Sequence, residues 1–354
     1  MFDTPADAYA QLAQHFTRPW AEIVVAALVP TLVFRPLPKG GADRSLPLGG
    51  TRIGGTPDLP PGLAWPRRAM PADMEAIAQR GNAGAGEEMR RHFRKELPYA
   101  FFAQVDLAEA RGQGSPAAAL PEHGRLLFFY DLLAGPWDNG SESVRVIWDE
   151  SPRESLTTQS MPSDLAAAAD FRSELAKALG ESSPSVAQSR SGTPYDGPLR
   201  PMSLHLTLRP PAAWSLEAEL NPALKAALAP NANGEEDFCD AYDDLFSRAF
   251  DTYHGADNAG RRNQLLGSPM PEQSDPRFEA EVASRFGVPY LKSEQLEAHN
   301  AEFEAAMPAW RLLLQIDVGD FQQESAEGTV YFLIRASDLT ERRFDRVVAV
   351  YQQT

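Results

Sequence analysis

The chain repeats itself, and this constrains its fold more than any other feature. Phe101-Phe102-Ala103-Gln104-Val105-Asp106-Leu107 returns as Leu312-Leu313-Leu314-Gln315-Ile316-Asp317-Val318, an apolar run with Gln and Asp two apart, displaced by 211 residues. Upstream, Gly55-Thr56-Pro57 returns as Gly267-Ser268-Pro269 at a displacement of 212. Downstream, Gly124 to Tyr130 answers Gly328 to Ile334, and Val144 to Trp148 answers Val347 to Tyr351. Farther upstream, Leu32 to Pro36 answers Leu206 to Pro210 with a changed spacing. Each half therefore reads as a strand ending in Arg-Pro, a Gly-Ser/Thr-Pro turn, helical material and three strands. The apolar runs are short, rich in aromatic and β-branched residues, and bounded by Gly, Pro and Asp, as buried strands are. The connections from Leu107 to Gly124 and from Val318 to Gly328 suit neighbouring antiparallel strands better than helical crossovers. The expected fold is α+β: two related, mainly antiparallel sheet halves around a pseudo-two-fold, with peripheral helices.

On this reading, residues 1–45 form an N-terminal helix and first strand, 46–180 the first repeat half, 181–201 a flexible Ser/Pro/Gly-rich linker, and 202–354 the second half. Helix signals open at Thr4-Pro5 and run through Phe16. Others begin at Ser163, ending at Gly180, and at Asn221-Pro222. Glu235 to Tyr253 carries an apolar stripe of Phe238, Tyr242, Leu245, Phe246, Ala249 and Tyr253. Asp275-Pro276 opens a helix closed by Gly287, and Ser293 opens one ending near Pro308. Gly81 to Gly86 reads as a mobile segment.

Composition narrows the function classes. Among 354 residues, 33 Lys and Arg face 49 Asp and Glu, a net charge of −16 that repels phosphate backbones and disfavours nucleic-acid binding. Arg90, Arg91, Arg94 and Lys95 form a basic stripe at helical spacing, but no aromatic platform for bases is interleaved with it. The longest apolar stretch, Ile23 to Phe34, is interrupted by Pro30 and is too short for a bilayer, so no membrane span is expected. The N-terminus carries Asp3 and Asp7 where a secretory signal needs a basic start, which points to a cytoplasmic location. Cys239 stands alone, which excludes an intrachain disulfide and a cysteine-based zinc site.

No catalytic motif is present, and no cofactor or metal is expected. His15, His92, His123, His205, His254 and His299 show neither ligand spacing nor an HExxH pattern. Period-two geometry puts Gln104 and Asp106 on one strand face, and Gln315 and Asp317 on one face of another. Two readings stay open. The four side chains can line a cleft between the halves, or each Asp can cap backbone N–H groups while each Gln ties neighbouring loops. The rigid loops with Thr56, Pro57 and Trp65, and with Ser268 and Pro269, are candidate recognition edges or packing elements. Glu235, Glu236, Asp240, Asp243 and Asp244 form an acidic helix face, whose partner as a binding surface would be basic.

Gly54 to Pro57 with Leu59-Pro60 and Trp65-Pro66, then Phe102 to Leu107, Leu120-Pro121, Gly124 to Asp131, Leu265 to Pro269 and Trp310 to Asp317 resemble the bacterial YwqG-like domain of unknown function, over about residues 46–354. The chain departs from that pattern by a charged helical segment between Pro66 and Pro98, an N-terminal extension and an insert from Ser151 to Pro201. The resemblance implies a duplicated, sheet-centred cytoplasmic protein and carries over no catalytic residue. The expected function is a non-catalytic binding protein of the immunity or antitoxin type with a basic protein partner. The alternative is a small-ligand-binding protein or enzyme whose cleft lies between the halves.

Overall fold

The computed structural model describes residues 2–37, 47–179, 192–229, 237–251, 263–324 and 326–353. Its strands are β1 (Val29–Pro36), β2 (Arg52–Ile53), β3 (Asp58–Leu59), β4 (Ala100–Asp106), β5 (Arg125–Tyr130), β6 (Val144–Asp149), β7 (Thr157–Thr158), β8 (Arg200–Arg209), β9 (Gln264–Leu265), β10 (Trp310–Asp317), β11 (Thr329–Arg335) and β12 (Val348–Gln352). Ten of them form one antiparallel sheet in the order β12-β11-β10-β9-β1-β8-β2-β4-β5-β6, and β3 pairs with β7 apart from it. The longest ladder is β1 with β8, from Val29 opposite Arg209 to Pro36 opposite Met202.

The two ends of the sheet approach each other. Gly140, just before β6, exchanges both backbone hydrogen bonds with Ala349 of β12, at 2.9 and 3.1 Å. The sheet is therefore nearly barrel-shaped, and its inner face holds Phe34, Phe102, Phe128, Leu204, Ile316 and Phe332 in one core. Outside, Tyr99, Phe101, Leu127 and Phe129 pack under Trp65 and Leu63, while Tyr331, Leu333 and Val350 pack under Ala280 and Ala283 of the helix Pro276–Phe286. Burial on both faces explains why β4, β5, β10 and β11 read as unbroken apolar runs rather than alternating ones.

Both strands carrying the repeated motif bulge at the same place in it. The register of β4 against β5 shifts between Phe101 and Ala103, and that of β10 against β11 between Leu312 and Leu314. The carbonyl of Phe102 then accepts from Gly54 N at 2.8 Å, and that of Leu313 from Leu266 N at 3.2 Å. Phe102 points inward and stacks on Phe321 at 4.1 Å.

Helices flank the sheet with some departures from expectation. The first one ends at Leu12, and a second, unforeseen helix spans Arg18–Ala27 behind Pro19, burying Ala21, Val24 and Ala27. The apolar stretch from Ile23 is thus half helix and half β1, with extended Leu28 between them. Asn82 accepts from Ala85 N at 2.9 Å and caps the helix Ala83–Arg94, so most of the segment read as mobile is an ordinary helix start. Residues 181–191 of the expected linker lie outside the described residues; its remainder joins the body, with Tyr195 buried and Pro201 opposite Arg52 in the sheet. No described helix is long and apolar enough to cross a membrane.

Candidate functional site

Gln104 and Gln315 are both fully buried, and each ties a loop to the sheet. The Gln104 carbonyl oxygen accepts from Asp58 N at 3.1 Å and Arg52 Nη2 at 3.3 Å, while its amide donates to Gly50 O at 3.0 Å and Asp58 Oδ2 at 3.1 Å. Asp58 also accepts from Gly49 N at 2.7 Å and Thr158 Oγ1 at 2.6 Å, and it pairs with Arg52. Burial pushes this carboxyl up, yet the Arg52, Thr158 and Gly49 hydrogen bonds outweigh it and hold the pKa down at about 2. In the later part of the chain Gln315 Oε1 accepts from Met270 N at 2.9 Å. Beside it Gln264 donates to Ser268 O at 2.6 Å and accepts from Arg209.

The aspartates serve as helix caps. Asp106 accepts from Ala108 N at 3.1 Å and pairs with Arg153, and Asp317 accepts from Asp320 N at 2.6 Å. The backbone N–H of Asp106 donates to Thr51 Oγ1, and that of Asp317 to Asn263 Oδ1. Four strands, β2, β8, β1 and β9, stand between β4 and β10. Gln104 and Asp106, expected with Gln315 and Asp317 to line a cleft, thus stand four strands away from that second pair in the sheet, and their bonds run to the 49–58 loop, to Arg153 and to the helix start at Leu107.

The loop candidates are packed. Pro57 and Pro269 are buried and Thr56 is half-buried. Trp65 donates to Tyr99 O at 2.8 Å and meets Phe101 and Phe129 edge-on. Buried Ser268 donates to Glu217 Oε2 at 2.6 Å. Glu217 in turn takes both terminal nitrogens of Arg277, at 2.7 and 2.6 Å, and Arg277 is shared with Asp275. Burial raises the Glu217 carboxyl, but Arg277 prevails and lowers it below the ordinary range.

Of the acidic face, Glu235 and Glu236 lie outside the described residues. Asp240, Asp243 and Asp244 are exposed on the helix Asp237–Asp251, whose other face packs Phe238 and Tyr242 against the two N-terminal helices. Partial burial and the adjacent Asp240 charge push the Asp243 carboxyl up.

Two further clusters escaped the sequence reading. Buried Asp131 accepts from Arg68 Nη1 at 2.7 Å and Ala134 N at 3.1 Å, and its Oδ2 lies 2.9 Å from His92 Nε2. Arg68 also pairs with Asp138, which Arg80 shares, and Tyr195 stacks on His92. Burial opposes ionisation of Asp131, but His92 and Arg68 hold its pKa well below the usual carboxylate range. Removing one member of such a buried set costs about 3–5 kcal/mol, so the cluster pins the segments around Arg68, His92 and Tyr195 to the end of β5. Half-buried Glu279 accepts from Gln352 Nε2 at 3.0 Å and Ser274 Oγ at 3.1 Å, and burial pushes it up to about 7. Contacts such as Arg68 with Asp131 join residues 63 apart, and no local pattern marks them.

A cavity of about 430 Å³ opens at one end of the barrel. Its walls come from both ends of the chain: Val29 and Pro30 at the start of β1, Ala119 after β4, Leu266 after β9, Arg311 on β10 and Leu339 after β11. Glu217 stands at the same cavity, already bound to Arg277. Among the described residues no group of three or more His, Cys, Asp or Glu side chains is placed to hold a metal ion. A search of curated proteins finds no match to the chain. A family model described as a domain of unknown function, DUF1963, matches residues 51–352, spanning β2 to β12, and the chain belongs to that family.

Proposed function

We propose that this protein is a non-catalytic binding protein that holds a basic protein partner on the acidic face of the helix Asp237–Asp251. The observation that carries this reading is the exposed pair Asp240 and Asp243, two like charges one turn apart on the same helix face, where partial burial and then the Asp240 charge push Asp243 up. A cationic partner relieves that repulsion, and the net charge of −16 steers such a partner inward. The amides and carboxylates of the repeated motif are occupied by loops and caps, which favours binding over catalysis by them. An immunity or antitoxin role in the bacterial cytoplasm, for a chain that resembles the YwqG-like domain of unknown function, is the form of binding we favour. Affinity capture from the native cell tests it: a basic protein should be recovered at low salt, released at high salt, and lost with Asp240→Asn/Asp243→Asn. Recovery of no such protein refutes the reading.

A second reading, a small-ligand-binding protein, is favoured by the cavity at the barrel mouth, whose walls combine the two halves of the chain.

We also infer that the halves descend from one duplicated unit related by a pseudo-two-fold between β1 and β8. Reading outward from that pair, the repeated segments occur in the same order on both sides, β9-β10-β11-β12 on one and β2-β4-β5-β6 on the other. An experimental structure in which no rotation superposes β4 to β6 on β10 to β12 would sink this inference.

A further inference from the structure

We propose that the barrel-mouth cavity binds a small amphipathic acid, with an apolar body of roughly ten carbons and one carboxylate held by Arg311. The proposal rests on the second reading above. The walls are mostly carbon, from Val29, Pro30, Ala119, Leu266 and Leu339, and the volume of about 430 Å³ falls in the range of small-molecule sites.

The charge of the site decides the head group. Arg311 is exposed, and its Nη1 donates to Pro308 O at 2.7 Å and Trp310 O at 2.8 Å. Those carbonyls fix the guanidinium in place without neutralising it, and Arg311 makes no ion pair among the described residues. In a chain with a large excess of acids, a cation left beside an apolar cavity is a receptor for an anion. Arg342, next to the rim, is in the same condition: its Nη1 donates to Ala119 O at 2.5 Å and Leu339 O at 3.3 Å. By bridging these two walls it sets the width of the mouth before any ligand arrives. Glu217 does not answer Arg311, because Arg277 and Ser268 occupy both of its oxygens.

Calorimetric titration of the full chain with decanoate, decan-1-ol and decylamine, each below its micellar concentration, tests the proposal. Decanoate should bind at one site, and Arg311→Gln should weaken it by about tenfold or more, while decanol binds less well and is indifferent to that substitution. Ala119→Phe, an exposed position on the wall, should abolish decanoate binding with the melting temperature retained. Equal binding of decanol and decanoate, or preferential binding of decylamine, lost in Ala119→Phe and unaffected by Arg311→Gln, overturns the acid assignment and leaves the cavity reading standing. Binding by none of the three, or decanoate binding that survives Ala119→Phe, overturns both.

Discussion

Asp58 and Glu279 are both carboxylates that accept side-chain hydrogen bonds, yet their surroundings drive them in opposite directions. At Asp58 an arginine partner and a backbone N–H accompany the hydroxyl, so ionisation is favoured despite burial. At Glu279 the partners are a neutral amide and a hydroxyl, Asp275 adds repulsion, and burial prevails. The consequences for stability are opposite in sign. Asp58, depressed from 3.8 to about 2, stabilises the fold above its ordinary value, and that contribution is lost as pH falls through about 2. Glu279, raised from 4.5 to about 7, binds its proton more tightly in the folded state, so stability present below 4.5 is lost as pH rises through about 7. Glu279→Gln should therefore stabilise the protein by about 1–2 kcal/mol at pH 8, the full shift being reduced by water screening of a half-buried group, and much less at pH 4. Urea melts at the two pH values check this, and an equal effect at both refutes it. Neither pKa shift is legible in sequence, because the burial that raises Glu279 and the Arg52 and Thr158 partners that lower Asp58 are set by the packing of other strands and loops.

Among the elements, the repeated Gly-Ser/Thr-Pro turns show why a short motif was so readable. Gly55 and Gly267 have φ of +75° and +84°, in the left-handed region that glycine tolerates. A Cβ on Gly267 would lie 2.2 Å from Thr31 Oγ1, so the turn after β9 also has to pass close over β1. Capping was legible for the same local reason: Asn221 and Asp275 accept from the N–H groups of Leu224 and Arg277 just as their positions before proline-led helices imply. The N-terminal helices were harder. Thr17 with Pro19 starts a second helix whose apolar residues run on into β1, and periodicity does not separate a buried helix from a buried strand over so few residues.

For the molecule as a whole, the decisive feature is how the chain interleaves. β1, from the N-terminal part, lies between β8 and β9 from the later part, and the inner core mixes Phe102 and Phe128 with Phe332 and Phe321. Neither part can be removed without exposing this shared core, so urea unfolding followed by far-ultraviolet dichroism and by tryptophan fluorescence should give one coincident transition; two separated transitions would refute it. The amino-acid sequence by itself determined the eight longer strands, the antiparallel pairing of β4 with β5 and of β10 with β11, and the helix starts at Pro5, Ser163, Pro222, Pro276 and Ser293, because these depend on residues near one another in the chain. It also left the roles of Gln104, Asp106, Gln315 and Asp317 balanced between cleft and scaffold. Tertiary structure decided that these side chains bind loops and caps on separate strands, that Arg68, His92 and Asp131 meet, and that the cavity opens instead beside Arg311. The physical reason is that burial and charge pairing are set by residues tens to hundreds of positions apart, which only the folded chain brings together.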